Sequence, residues 1–107
     1  MEIEFDKDYL QELFEEGKSS NKKHRYQPEI IKKFIYTVNI LRAAPNTASL
    51  YKFKSLNYEK KGGDLGGIEA VKINDQYRLE FVTRTEGGEP PTITICKLLE
   101  LSNHYKK

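Results

Sequence analysis

Residues 62–81 read GGDLGGIEAVKINDQYRLEF, and this stretch decides the fold. The glycines at its beginning predict a tight turn. From Ile68 onward the apolar residues recur with a period of two, which indicates a β-strand. Asn74 and Asp75 then predict a turn into a second strand, which begins near Tyr77. The stretch therefore predicts a pair of antiparallel strands.

The segments on either side of this pair predict one more strand and two helices. Residues 92–101 are rich in β-branched side chains and follow a loop of glycine and proline, so they predict a third strand. The first helix ends at Gly17, and the second begins at Pro28 and ends before Pro45. Apolar residues at helical spacing support both helices: Leu10, Leu13 and Phe14 in the first, and Ile31, Phe34, Ile35, Val38 and Leu41 in the second.

Smaller features complete the expected fold. Asp6 is expected to cap the first helix. Residues 47–54 predict a short helical turn, with Leu50, Phe53 and Leu56 pointing inward. An extra strand near the N-terminus is compatible with the pattern. The predicted fold class is α+β, a single domain over residues 1–107 in which two N-terminal helices pack on a small antiparallel sheet.

Composition narrows the class of protein. No apolar run approaches the ~20 residues that a membrane span requires, and the acidic N-terminus lacks the features of a signal peptide, so we expect a cytoplasmic protein without a membrane partner. The single cysteine, Cys96, cannot form an internal disulfide. With only two histidines, far apart in the sequence, no metal site is expected.

The net charge of +2 conceals a strong asymmetry along the chain. Residues 1–17 hold seven acidic residues and one lysine, whereas residues 18–61 hold eleven basic residues and two acidic ones. Such a basic block is typical of proteins that bind phosphates, and a solvated helix face with scattered lysines is the alternative. Residues 18–25, KSSNKKHR, contain no apolar anchor and predict an exposed, mobile loop.

Arg78 is the residue with the clearest chemical role. It lies opposite the apolar face of its predicted strand, so a rigid element presents its guanidinium, whose planar donors match two phosphate oxygens. A cross-strand ion pair with Glu69 or Glu80 is the alternative. At the end of the chain, His104 offers a proton-transfer group and Tyr105 a ring for stacking or a hydroxyl donor. A fixed arginine, a histidine and a tyrosine suffice to cleave RNA without a metal or cofactor.

Residues 54–81, KSLNYEKKGGDLGGIEAVKINDQYRLEF, together with the ending NHY of residues 103–105, resemble the HigB-type toxins of the RelE/ParE superfamily. The shared pattern is a leucine before a Gly-Asp-Leu-x-Gly core, a strand, a turn with asparagine, and Tyr-Arg-Leu-x-Phe. The commoner family ending is Asp-Tyr-His, whereas this chain has histidine before tyrosine, so the resemblance leaves the general base and the general acid unassigned.

The resemblance implies a RelE/ParE-like, microbial RNase-like fold and a toxin that enters the ribosomal A site and cuts mRNA there. It implies a cognate helix-turn-helix antitoxin of the HigA type, through which alone the toxin reaches operator DNA. Arg78 would stabilise the phosphate, His104 would transfer protons and Tyr105 would complete the site. The resemblance implies that Lys54, Lys60 and Lys61 bind the RNA backbone. The basic block adds Lys22, Lys23, His24 and Arg25 to the expected RNA-binding residues.

Two other functions remain open at this point. Some members of the superfamily lack the nuclease residues and inhibit DNA gyrase, so a ParE-like toxin without nuclease activity is one alternative. The other is a non-catalytic nucleic-acid-binding module that uses only the basic block. The combination of Arg78 and His104 favours the nuclease.

Overall fold

The structure is a computed structural model that describes residues 1–60, 67–89 and 93–103. The strands among these residues are β1 (Glu2–Phe5), β2 (Glu59–Lys60), β3 (Glu69–Lys72), β4 (Tyr77–Glu86) and β5 (Ile93–Asn103). The α-helices are α1 (Asp8–Glu16) and α2 (Pro28–Ala43), and short 3₁₀ helices cover Lys22–His24, Thr47–Lys52 and Lys54–Leu56.

The predicted fold was wrong in its sheet. The described strands form one mixed sheet of five, in the order β1-β5-β4-β3-β2, and not a small antiparallel sheet that follows two helices. The strand β1 precedes both helices and pairs in parallel with β5, from Glu2 beside Ile95 to Phe5 beside Leu98. The other neighbours are antiparallel. The pairing of β1 was not predicted because its four residues form too short an alternating pattern to identify a partner. That partner, β5, lies about ninety residues away in the sequence.

Both predicted helices are present and cover one face of the sheet. The core consists of buried apolar side chains from α1, from α2 and from the inner face of β3, β4 and β5, among them Leu10, Leu13, Phe34, Val38, Leu41, Leu79, Phe81 and Leu98. Each such side chain contributes roughly 1.5–3 kcal/mol when it leaves water. The opposite face of the sheet stays open, and that face carries the charged side chains discussed below.

The predicted helix ends hold in three cases and fail in one. Gly17 ends α1 with a left-handed φ of 72° and donates its N–H to the carbonyl of Leu13. Pro28 begins α2, which ends at Ala43. Asp6 does not cap α1, because the helix begins one residue later, after Lys7. The backbone N–H of Asp6 instead donates to the carbonyl of Leu98 and extends the contact between β1 and β5.

The segment after α2 also departs from the prediction in one residue. It forms two 3₁₀ helices, in which Leu50 and Leu56 are buried as expected. Phe53, which was expected to point inward, remains 44% exposed.

Across the described ranges, no helix has the length and apolar character needed to cross a membrane.

Candidate functional site

The basic segment of residues 18–25 is ordered by local hydrogen bonds. The side chain of Asn21 accepts the backbone N–H of Lys23 at 2.9 Å and so caps the short 3₁₀ helix. The carboxylate of Glu12, on α1, accepts the N–H of Ser20 at 2.8 Å and its hydroxyl at 3.2 Å. The segment is therefore tied to α1 by polar contacts, and Lys22, Lys23 and Arg25 are exposed, as predicted.

His24 provides the second anchor of this segment. Its ring stacks on that of Tyr9, with centroids 3.6 Å apart and planes 11° apart. Tyr9 is buried, and its hydroxyl accepts the N–H of Leu101 at 3.0 Å. The hydroxyl of Tyr26 donates to the carbonyl of the same Leu101 at 3.3 Å. The basic segment is thus joined to the end of β5 through two tyrosines.

A cavity of about 410 Å³ lies between the basic segment and the end of β5, and we call it the loop cavity. Its lining brings two cations, three tyrosine rings and an imidazole ring together with polar groups of the strand. The lining residues are Tyr9, Lys23, His24, Arg25, Tyr26, Tyr77, Glu100, Leu101, Ser102 and Asn103. Such a mixture of cations and rings suits a single-stranded nucleic acid, since phosphates meet the cations and bases meet the rings.

Two tyrosines of the loop cavity, Tyr9 and Tyr26, have raised pKa values. Burial raises the pKa of Tyr26, and the nearby hydroxyl of Tyr9 raises it further. Burial likewise raises the pKa of Tyr9, although the hydrogen bond from Leu101 opposes this effect. Both hydroxyls therefore stay protonated at neutral pH, so neither can act as a general base there.

Arg78 lies on the open face of the sheet, as predicted, and lines a separate cleft of about 180 Å³. We call it the arginine cleft, and its other polar lining residues are Asn57, Glu59, Lys72, Asn74, Asp75 and Tyr77. The Nη1 of Arg78 donates to Glu59 Oε1 at 2.9 Å. Its Nε lies 4.0 Å from Glu80 Oε2 and has no hydrogen-bond partner among the described residues. The guanidinium is thus held by carboxylates in this state.

Glu69, the other partner considered for Arg78, lies on the inner face instead. It is 1% exposed, and it accepts hydrogen bonds from the hydroxyls of Tyr58 at 2.6 Å and Thr83 at 2.7 Å. These two hydroxyls satisfy a carboxylate that burial would otherwise penalise. Glu69 is therefore buried in the interior, and Glu59, which the sequence did not indicate, is the hydrogen-bond partner of Arg78.

One residue, Tyr77, is shared by the linings of the two cavities, at the place where β4 begins and β5 ends. Tyr77 pairs with Asn103, while Arg78 pairs with Ser102. Asn103 is the last described residue of β5, and in the sequence it directly precedes His104 and Tyr105. Both of these predicted catalytic residues lie outside the described residues. The described part of the site therefore places Arg78 and residues 23–25 in two cavities that share Tyr77.

The remaining predicted RNA-binding lysines are not gathered there. Lys22 is exposed and does not line the loop cavity. Lys54 lines a third cavity, of about 270 Å³, beside Tyr51 and Tyr58. Lys60 is the exposed last residue of β2. Lys61 lies outside the described residues.

Sequence reasoning missed four residues of these two cavities: Tyr9, Tyr26, Glu59 and Tyr77. Tyr26 had a usable signal, since it closes the run KKHRY, in which an aromatic residue follows four basic or imidazole side chains. Tyr9 and Glu59 had none, because their roles depend on contacts with Leu101 and Arg78, which are distant in the sequence.

Neither a protein-family model, nor a curated protein, nor a solved structure matches this chain. The resemblance to HigB-type toxins rests on the motifs of residues 54–105 and stays a prediction. The loop cavity and the arginine cleft, which share Tyr77, together form the candidate site.

Proposed function

We propose that this chain is the toxin of a type II toxin–antitoxin system, an endoribonuclease that cleaves mRNA in the ribosomal A site. The observation that supports this most is the loop cavity, in which Lys23, His24 and Arg25 face the end of β5 next to Tyr77. An RNA strand that meets these cations would lie beside Arg78, because Tyr77 borders both cavities. Phosphate binding and phosphate chemistry would then share one corner of the sheet.

The proposed reaction needs no group beyond the protein and the RNA. The 2′-oxygen next to the scissile phosphate bonds to phosphorus as the bond from phosphorus to the 5′-oxygen breaks. A base takes the proton of the 2′-hydroxyl, and an acid gives a proton to the departing 5′-oxygen. The products are a 2′,3′-cyclic phosphate and a 5′-hydroxyl. His104 is proposed for proton transfer, with Tyr105 beside it.

Arg78 is proposed to stabilise the negative charge that builds up on the non-bridging phosphate oxygens. Its position on β4, between paired strands, suits this role, because a positioned donor costs no reorganisation during the reaction. The hydrogen bond to Glu59 must first give way to phosphate. Glu59 lies on the two-residue edge strand β2 and is about half exposed, so it can turn toward solvent without disturbing the core.

The proposed partners follow from the same assignment. They are the ribosome with its mRNA and a cognate helix-turn-helix antitoxin, with operator DNA reached only through the antitoxin. The proposed location is the cytoplasm, where the ribosome is found. Residues 18–61 carry a net charge of +9, from eleven basic and two acidic residues. This charge would favour approach to ribosomal RNA, because long-range electrostatic attraction increases association rates.

Expression of the chain under tight control, followed by mapping of mRNA 5′ ends, tests this proposal. New 5′ ends within translated frames, absent when Arg78→Ala is expressed at the same level, would support the nuclease. DNA damage without new RNA ends would favour the inhibition of gyrase. Growth arrest by the wild type and the variant alike, without either signature, would contradict both toxin mechanisms.

A further inference from the structure

We propose that the imidazole of His24 is a stacking platform for one unpaired nucleobase of a single-stranded nucleic acid bound in the loop cavity. This inference rests on the proposed function only in taking the strand to be RNA. It gives His24 a role in binding, separate from the proton transfer assigned to His104.

The geometry of the His24 ring carries the proposal. Tyr9 covers one face of the ring at 3.6 Å and is itself buried, so the two rings form a rigid pair. His24 is only partly buried and lines the loop cavity. Because Tyr9 covers one face of the ring, the proposal places the base on the opposite face. A base stacked there would extend the pair to three parallel rings.

The walls of the loop cavity match the other parts of a nucleotide. Lys23 and Arg25 flank His24 in the sequence, are exposed and line the same cavity, so they can meet the phosphates before and after the stacked base. Ser102 and Asn103 add polar side chains from the strand end. The ring of Tyr77 meets that of Tyr26 edge-on at 5.3 Å and forms a side wall.

The hydroxyls of Tyr9 and Tyr26 already bond to the backbone of Leu101. They are therefore committed to the fold, and the recognition of the base depends on stacking more than on hydrogen bonds from these tyrosines. Stacking on a ring tolerates any base, since every base has a π-face. The site should accordingly select for the presence of a base and not for its identity.

The same stack could serve only to anchor the basic segment on α1. The two roles predict different results once the fold is intact, because an anchor needs a ring against Tyr9 but no ligand on the other side. Two comparisons separate these roles. One replaces His24 by another aromatic residue, which should keep both the anchoring and the binding of a base. The other compares a nucleotide with a ligand that lacks a base.

The experiment is a titration of the full chain with adenosine 5′-monophosphate and with ribose 5-phosphate, followed by NMR of the histidine rings and the backbone. We expect the nucleotide to bind at least fivefold more tightly than the base-free sugar phosphate, and to shift the His24 ring signals. In His24→Leu this preference should disappear, whereas His24→Phe should retain it. Stacking on aromatic side chains is worth roughly fivefold to 150-fold in affinity elsewhere.

Arg25→Gln is the matched control, since it removes a charge from the same wall and keeps the ring. It should weaken both ligands by a similar factor and leave their ratio unchanged. The adenine dinucleotide ApA should bind more tightly than the mononucleotide if the site takes a strand. Backbone spectra verify that each variant is folded.

Equal binding of the two ligands, or an unchanged preference in folded His24→Leu, would overturn the proposal. Failure of ApA to bind more tightly would overturn the assignment to a strand. These outcomes are independent of cleavage. If the protein binds the base but cuts no mRNA, the stacking site stands and the proposed function is wrong. If it cuts mRNA but does not prefer the nucleotide, the proposed function stands and the stacking site is wrong.

Discussion

Arg78 donates a hydrogen bond to Glu59 at 2.9 Å across an intervening strand. Arg78 lies on β4 and Glu59 on β2, and β3 runs between them. The residue of β3 that pairs with Glu59 is Ala70, whose small side chain leaves room for the guanidinium to pass over the strand. The side chain of Arg78 is 18% exposed and that of Glu59 is 47% exposed. A carboxylate thus occupies one of the donors that a phosphate would need.

Replacement of Glu59 by glutamine should therefore increase affinity for RNA. An ion pair of this exposure is worth ~0.2–1 kcal/mol, so we expect a roughly 1.5- to fivefold lower Kd for a single-stranded oligoribonucleotide and little loss of stability. Fluorescence anisotropy measures the affinity. Glu86→Gln is the control, because it removes one negative charge beside Arg84, away from the arginine cleft. An equal gain in both variants would show that Glu59 acts through net charge alone.

The basic segment should dominate the salt dependence of RNA binding. The replacement of Lys22, Lys23 and Arg25 by alanine removes up to three phosphate contacts. The slope of log affinity against log salt should then flatten by roughly two to three units, at ~0.7–0.9 per contact. Lys32, Lys33 and Lys52, which line neither the loop cavity nor the arginine cleft, give a triple variant of the same charge. A flattening of equal size in that variant would argue against a specific role for the segment.

Alkaline pH should destabilise the fold from about pH 10 upward. Tyrosines in an unfolded chain lose their proton near pH 10. Burial raises the pKa of Tyr26 and of Tyr58 in the folded protein, and the carboxylate of Glu69 adds to the effect at Tyr58. Above pH 10 the unfolded chain binds fewer protons than the folded one, so the free energy of unfolding must fall as pH rises.

Urea unfolding at a series of pH values measures how the free energy of unfolding depends on pH. The series should run from about 8 to about 11, because the pKa of an unperturbed tyrosine is ~10. Tyr26→Phe should reduce the alkaline loss without affecting the hydrogen bonds to Glu69. Tyr58→Phe should reduce it too, with some loss of stability at every pH because Glu69 loses a donor. A wild-type stability that stays flat through this range would be incompatible with buried, protonated tyrosines.

Cys96 should be unreactive in the folded protein. It is fully buried, and burial raises the pKa of its thiol to about 12, with a further contribution from Glu69. Only the thiolate reacts with disulfide reagents, so labelling at pH 8 should be slow until the chain unfolds. The time course of reaction with a chromogenic disulfide, with and without urea, gives the comparison. Rapid labelling without denaturant would mean that β5 opens readily.

Local features of the fold could be predicted from the sequence, but long-range ones could not. Gly17 and Pro28 mark helix ends through their own backbone preferences, and the alternation around Arg78 places it on the outer face, so neighbouring residues suffice for these features. The parallel pairing of β1 with β5 depends on residues at opposite ends of the chain. The four residues of β1 alternate, which made an extra strand near the N-terminus compatible with the sequence, but so short a pattern does not identify its partner strand.

The site was predictable to a similar extent. The charge pattern identified Lys23, His24 and Arg25, and these residues do line one cavity. Their position against the end of β5 depends on Tyr9, whose ring and hydroxyl contact residues 15 and 92 positions away. The hydrogen bond from Arg78 to Glu59 likewise follows from sheet order. Such contacts leave no periodic pattern in a single sequence.

We propose that this chain cuts mRNA on the ribosome and uses Arg78 to stabilise the reacting phosphate. Single-turnover cleavage of mRNA on programmed ribosomes tests it most directly, with the 5′ ends and the terminal phosphates of the products identified. The wild type should give 2′,3′-cyclic phosphate ends within the A-site codon. Folded Arg78→Ala should be slower by ~10²–10³, and His104→Gln by ~10²–10⁴. Absence of cleavage by the wild type, or full activity in folded Arg78→Ala, would contradict the account.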